Sequence, residues 1–201
     1  MKRIGILGDI GSGKSYFSRL LGYPRFDADF EVKKIYKNNR KVYLNIKKEF
    51  PKKISSFPLN KLELSKIILE NENNIKKINK IVHKEVRKKL INFLNKNKKK
   101  KFVVLDVPLL IENKINKKGD ILIFIDAKKK DIIKNLSKRG NFNKRLFRSL
   151  KKFQLPLEKK KNKSDFIIKN YYKGNDLQKY IKVIKKKIKN AWSNSWYRNY
   201  W

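Results

Sequence analysis

Eight residues near the start of the chain have the types and spacing of a phosphate cradle. Gly8-Asp9-Ile10-Gly11-Ser12-Gly13-Lys14-Ser15 is a complete G-x-x-x-x-G-K-[ST] sequence. Such a loop turns successive backbone N–H groups toward one point, sets them at a helix N-terminus and adds a lysine charge. Nucleotide phosphates are its natural guest. Shuffling this lysine-rich composition would produce roughly 0.004 such matches per chain, so the motif is not a by-product of lysine abundance.

Phosphoryl transfer also needs a carboxylate to accept the proton of the attacking hydroxyl, and often another to hold Mg²⁺. Three carboxylates stand where an open α/β sheet would present them, outside the carboxyl ends of strands. Asp27 and Asp29 lie in Pro24-Arg25-Phe26-Asp27-Ala28-Asp29-Phe30, and Asp106 ends the apolar run Phe102-Val103-Val104-Leu105. Asp29 and Asp106 fit the two roles. Asp27 fits a helix N-cap equally well.

The elements that must position these groups follow from periodicity. Lys2 to Leu7 reads as a strand, and Lys14 to Leu21, with Phe17, Leu20 and Leu21 on one side, as a helix that Gly22 can end. Lys101 to Val107, Asp120 to Ala127 and Asp165 to Ile168 are continuous rather than alternating apolar runs, which is how a parallel sheet covered on both faces reads. The fold class expected is α/β, a doubly wound sheet. From about 31 to 99 the spacing becomes helical, through Leu62, Ile67, Ile68, Ile75, Ile78, Ile81, Val82, Val86, Leu90 and Leu94, so an inserted helical region is expected there. Lys96 to Lys101 reads as a solvated connector, and the chain closes with a basic helix near Leu177 to Lys189 followed by an aromatic segment ending at Trp201.

Composition bounds the alternatives. The formal net charge of +38 invites a nucleic-acid reading, but the lysines are spread over the whole chain and accompanied by Asn and Ile, as AT-rich codons dictate. Phosphate or base recognition favours clustered arginine forks, and arginine is scarce. No cysteine is present, so disulfides and thiolate metal sites are excluded, and His83 as the single histidine leaves little for a zinc site. No apolar run has the length of a membrane span or of a signal peptide's core, so a cytoplasmic protein of one principal domain is expected.

Taken together, the phosphate loop, Asp27-Ala28-Asp29, Asp106-Val107-Pro108-Leu109-Leu110-Ile111-Glu112, Gln154-Leu155-Pro156-Leu157-Glu158 and Ser164-Asp165-Phe166-Ile167-Ile168-Lys169-Asn170 resemble the dephospho-coenzyme A kinase family in order and spacing. The resemblance spans residues 3 to about 177. Leu59 to Leu64, His83 and Arg139 are weaker matches.

The resemblance implies a three-layer P-loop kinase fold of nucleoside monophosphate kinase type. Its core would be about 1–30, 100–136 and 158–201, with a helical acceptor-binding insert at about 31–99 and a small lid at about 137–157. It implies ATP and Mg²⁺ as cofactors and phosphorylation of the ribose 3′-hydroxyl of dephospho-coenzyme A. Asp9, Ile10, Gly11, Ser12, Gly13, Lys14, Ser15 and Tyr16 would bind the nucleotide. Lys14, Asp29 and Arg139 would be catalytic, with Asp29 the general base and Arg139 reaching in from the lid. Lys61, His83, Pro108, Leu109 and Glu112, with Asp29, would contact the acceptor, and Ser15 and Asp106 would hold the metal. His83 fits a packing role as well. A monomer without a specific nucleic-acid or membrane partner is expected. The alternatives are a kinase of the same fold with a nucleoside monophosphate or shikimate-like acceptor, and a basic nucleic-acid binder.

Five residues depart from the family pattern: Leu7, Asp9, Tyr16, Lys61 and Lys84. Asp9 puts a carboxylate inside the loop, with the expectation that it turns to solvent. Lys61 in place of arginine keeps charge but loses bidentate geometry.

Overall fold

A computed structural model of the chain describes residues 1–138, 142–173 and 176–193. In chain order the elements are β1 (Lys2–Gly8), α1 (Lys14–Leu20), β2 (Arg25–Asp27), α2 (Ala28–Asn38), α3 (Arg40–Glu49), α4 (Lys61–Glu70) and α5 (Asn74–Lys96). They continue with β3 (Phe102–Asp106), β4 (Ile121–Ala127), α6 (Lys129–Ser137), α7 (Lys144–Lys151), α8 (Leu157–Asn162), β5 (Phe166–Asn170) and α9 (Asp176–Ser193). They form two compact units. One comprises Met1–Phe26, Asn97–Phe142 and Gln154–Trp201, and the other Asp27–Lys96 and Asn143–Phe153.

The first unit is built on a five-stranded sheet in the order β2-β3-β1-β4-β5. The apolar runs become strands because both faces are covered. β1 pairs in parallel with β3 and with β4, and β4 with β5. Ile4 and Ile6 of β1, Phe102 and Val104 of β3, Ile121, Ile123 and Ile125 of β4 and Ile168 of β5 form one buried cluster with Phe17 of α1, Leu21 at its C-cap and Leu177, Ile184 and Ile188 of α9. Gly5 faces the other way. A Cβ there would stand 2.5 Å from Leu110 Cδ2 and 2.8 Å from Leu122 Cδ2, so glycine is what lets the chain after β3 pack directly on the sheet. α8 covers the same side, with Lys161 Nζ 5.8 Å from the Phe124 ring centre.

The sequence reading starts the last strand at Asp165, whereas β5 starts at Phe166. Asp165 closes its own entry instead, its N–H donating to Leu122 O at 2.8 Å and its Oδ2 accepting from Leu122 N at 2.7 Å. At the N-terminal edge of β1, the buried Arg3 donates through Nε to Asp120 Oδ1 at 2.8 Å and through Nη2 to Ile115 O at 3.1 Å, so a charge at 8% exposure is fully partnered.

The second unit is helical, with its own core. α5 turns Ile75, Ile78, Val82, Val86 and Leu90 inward at helical spacing, and Val42, Tyr43 and Ile46 of α3 with Leu64 and Ile67 of α4 are buried as well. Short polar side chains start these helices by accepting first-turn amides that have no partner within the helix. Asp27 Oδ1 accepts from Phe30 N at 3.0 Å, Asn39 from Val42 N at 3.0 Å, Asn60 from Leu62 N at 2.8 Å and Asn143 from Leu146 N at 2.8 Å. The sequence reading sets 137–157 apart as a lid, whereas Asn143–Phe153 clusters with α2–α5. Glu72 makes that attachment. It accepts from Ser149 Oγ at 3.0 Å and from Lys152 Nζ at 2.9 Å, and the hydrogen bonds from Lys152 and Ser149 hold its carboxyl below the usual range.

Candidate functional site

The loop after β1 is shaped by its glycines. Gly8, Gly11 and Gly13 have φ of 145°, 81° and 99°, values that L side chains rarely adopt, and Gly13 is the left-handed N-cap of α1. A Cβ on Gly8 would lie 2.6 Å from Ser12 Oγ and 2.7 Å from Ile125 O, and one on Gly13 would lie 2.5 Å from Asn170 Nδ2. The loop is therefore packed on its outer side by protein and admits no side chain there. Gly11 rests on Leu136 of α6. Lys14 folds back over the loop, its Nζ donating to Asp9 O at 2.7 Å and Gly8 O at 3.3 Å, and Ser15 follows it in the first turn of α1. Tyr16 is exposed at 40%.

Two observations fit the phosphates of ATP to this loop, the glycine cradle and the Lys14 ammonium held over it. Ser12 Oγ is buried on the packed side, against Gly8. Hard oxygen groups suited to Mg²⁺ stand beside the cradle in Ser15 and Asp106. Among the described residues there is no group of three or more His, Cys, Asp or Glu that could hold a metal ion.

Asp9 is 3% exposed, not turned to solvent as the sequence reading has it. Its Oδ1 accepts from Ile10 N at 2.8 Å, so the carboxylate is used to shape the loop. Asp106 lies at the carboxyl end of β3, 4% exposed, and its Oδ2 accepts from Ser18 Oγ and from Arg25 Nη1, both at 3.1 Å. Ser18 and Arg25 are residues that sequence reasoning missed. Arg25 stands inside the quoted Pro24-to-Phe30 segment, but no local signal names a partner 81 positions away.

Past Asp106 the chain turns sharply. Leu109 sits at φ 57°, Pro108 is exposed, and the turn sends Leu110 and Ile111 into the core. Glu112 is occupied by protein: it accepts from Leu155 N at 3.1 Å and pairs with Lys160 Nζ at 2.6 Å, with side-chain exposures of 10% and 3%. Removing one partner of a buried ion pair strands the other charge. Lys160→Met is expected to destabilise the chain by about 3 kcal/mol and to lower Tm by about 6 to 12 °C, read by thermal denaturation. The double variant Glu112→Leu/Lys160→Met should recover most of that loss. A single variant melting within 2 °C of the parent would show that water already screens the pair.

In the helical unit, Asp29 is exposed in the first turn of α2, one residue beyond Asp27 and Ala28, and Lys61 is exposed at the first position of α4. Asp27 serves as the N-cap, so the two carboxylates have separate duties. His83 is half-buried on α5, and desolvation together with the Arg87 charge lowers its pKa from 6.5. It is therefore neutral at pH 7. Any stability it contributes is present above its ordinary pKa and is lost as pH falls through the lowered folded value. Arg139 lies outside the described residues.

A glycine-lined phosphate loop between the central strand and its helix, with a buried carboxylate ending the neighbouring strand, defines a P-loop kinase. The dephospho-CoA kinase family model matches residues 2–176. The dephospho-CoA kinase of Wolbachia sp. subsp. Brugia malayi is 35% identical over 170 residues, covering 82% of this chain and 87% of that one. The dephospho-CoA kinase of Bartonella quintana is 33% identical over 199 residues, covering 94% of this chain and 100% of that one. A Thermus thermophilus crystal structure superposes with a TM-score of 0.75 at 25% identity, covering 93% of this chain and 97% of that one. The chain belongs to the dephospho-CoA kinase family, ATP-using enzymes of the last step of coenzyme A synthesis. Among the described residues, no helix is long and apolar enough to cross a membrane.

Proposed function

We propose that the chain transfers the γ-phosphoryl group of ATP to the ribose 3′-hydroxyl of dephospho-coenzyme A, releasing ADP and coenzyme A. The observation that supports it most is the loop Gly8 to Ser15, glycine-cradled and lysine-covered at the carboxyl end of β1, in a chain that matches this family from residue 2 to 176. In this reading the loop amides take the phosphate oxygens, and the Lys14 ammonium offsets charge on the β- and γ-phosphates as the group moves. Asp29 accepts the proton of the 3′-hydroxyl while its oxygen bonds to the γ-phosphorus and the bond to the β-phosphate oxygen breaks. Ser15 and Asp106 would hold Mg²⁺, which supplies charge neutralisation between the β- and γ-phosphates.

The reading assigns acceptor contacts to Lys61, His83, Pro108 and Leu109, and a lid contact to Arg139. His83, neutral at pH 7, serves as a hydrogen-bonding group and not as a cation. Glu112 acts by anchoring Leu155 and Lys160. The monomeric state and cytoplasmic location belong to the same proposal.

An acceptor panel tests it. With ATP and Mg²⁺, ADP release is expected with dephospho-coenzyme A and at background level with AMP, CMP and shikimate. Turnover confined to the last three would overturn the acceptor assignment and leave the kinase class standing.

A further inference from the structure

The phosphate loop is held from outside by two residues at the end of β5 to which no role in the reaction has been given. Asn170, the last residue of β5 and 5% exposed, donates from Nδ2 to Ser12 O at 2.9 Å. Only a glycine at position 13 leaves room for that amide, since a Cβ would meet it at 2.5 Å. Asn170 Oδ1 accepts from Tyr172 N at 3.0 Å, a local turn of the kind asparagine favours. The turn carries Tyr172 to φ 55°, a left-handed conformation costly to an aromatic residue. From there the Tyr172 hydroxyl donates to Gly11 O.

Two consecutive carbonyls of the loop are thus tied to the same short segment. A trans peptide unit points its C=O and N–H in opposite directions. Tying the Ser12 carbonyl outward turns the Gly13 N–H inward, and tying the Gly11 carbonyl points the Ser12 N–H the opposite way, at Asp9 O. That last contact, at 3.1 Å, closes the turn of the loop. The shape of the loop is set before a ligand arrives, and the ordering cost of binding falls accordingly.

We infer that Asn170 and Tyr172 are positioning residues that preset the phosphate loop for the ATP triphosphate, with the Tyr172 hydroxyl as the second of two braces. The inference rests on the reading that this loop holds ATP. Its test is direct binding of a non-hydrolysable ATP analogue with Mg²⁺ by calorimetry, beside KM and kcat for both substrates and Tm.

Tyr172→Phe removes only the hydroxyl and is expected to weaken analogue binding about five-fold, with a matching rise in the KM for ATP. The KM for the acceptor stays within two-fold and Tm within about 2 °C. Tyr172→Gly relieves the left-handed strain and still loses the brace, so it should weaken the analogue at least as much as Tyr172→Phe while keeping its Tm. That pairing of unchanged stability with lost affinity is not what a merely structural tyrosine would show. A Tyr172→Phe chain that binds the analogue like the parent, or one that loses Tm while keeping affinity, overturns the brace alone. A parent chain that does not bind the analogue overturns both the brace and the ATP reading.

Discussion

Lys14→Ala is expected to lower kcat/KM for ATP-dependent ADP release by at least about 10³-fold. The ammonium sits over the loop, held at 2.7 Å by Asp9 O and 3.3 Å by Gly8 O, and it is the loop's own cation. Its contribution grows as charge develops between the β- and γ-phosphates, so the loss falls on kcat as well as on nucleotide binding. Lys14→Arg should not restore activity, because a planar fork cannot occupy the place of a compact ammonium that these two carbonyls define. The side chain contributes nothing to the core clusters, so Tm should change little. Steady-state kinetics with dephospho-coenzyme A, beside a melting curve, check both statements. A variant retaining a tenth of the parent's kcat would remove Lys14 from the chemistry.

The second large effect is expected at Asp29. Asp29→Asn keeps size and hydrogen-bonding reach but can no longer accept a proton, and a lost general base costs about 10²- to 10⁴-fold in kcat. ATP analogue affinity should stay within about two-fold, which separates this variant from Lys14→Ala. Asp29 also supplies negative charge in the first turn of α2, so neutralising it is expected to cost about 0.3–1 kcal/mol of stability through the helix dipole. That loss is far too small to account for the kinetic effect. Full activity in Asp29→Asn would refute the base assignment.

These two positions show how unevenly the site could be read from the chain. Lys14 is legible because its neighbours in sequence are its neighbours in space. Glycines 8, 11 and 13 carry the left-handed turns, and the lysine that follows them can only fold back over the loop they make. The strands were equally legible, since a sheet buried on both faces demands the continuous apolar runs seen at Ile4 to Leu7, Phe102 to Leu105 and Ile121 to Ile125. The cap reading of Asp27 rests on the same nearness, since cap and amide are three residues apart.

Other residues of the site were opaque for the opposite reason. Asp9 looks like a free position in the motif, yet the packing around the loop buries it and its carboxylate becomes part of the loop's shape. Glu112 reads as a substrate contact until Lys160, on the far side of α6 and α7 in sequence, is found within 2.6 Å. Tyr172 carries no motif at all. Its role exists only because β5 lies at one edge of the sheet and ends beside Gly13.

Local geometry was therefore decided by the sequence itself: the phosphate loop, the strand and helix periods, the caps, and with them the class of chemistry. The order β2-β3-β1-β4-β5 was decided by the tertiary structure, and that order chose which distant side chains meet. Asp106 finds Ser18 and Arg25, Asn170 finds Ser12, and Tyr172 finds Gly11 across separations of 81 to 161 residues. A hydrogen bond between such partners forms only once both backbones are held in place, and its identity cannot be read from either segment alone.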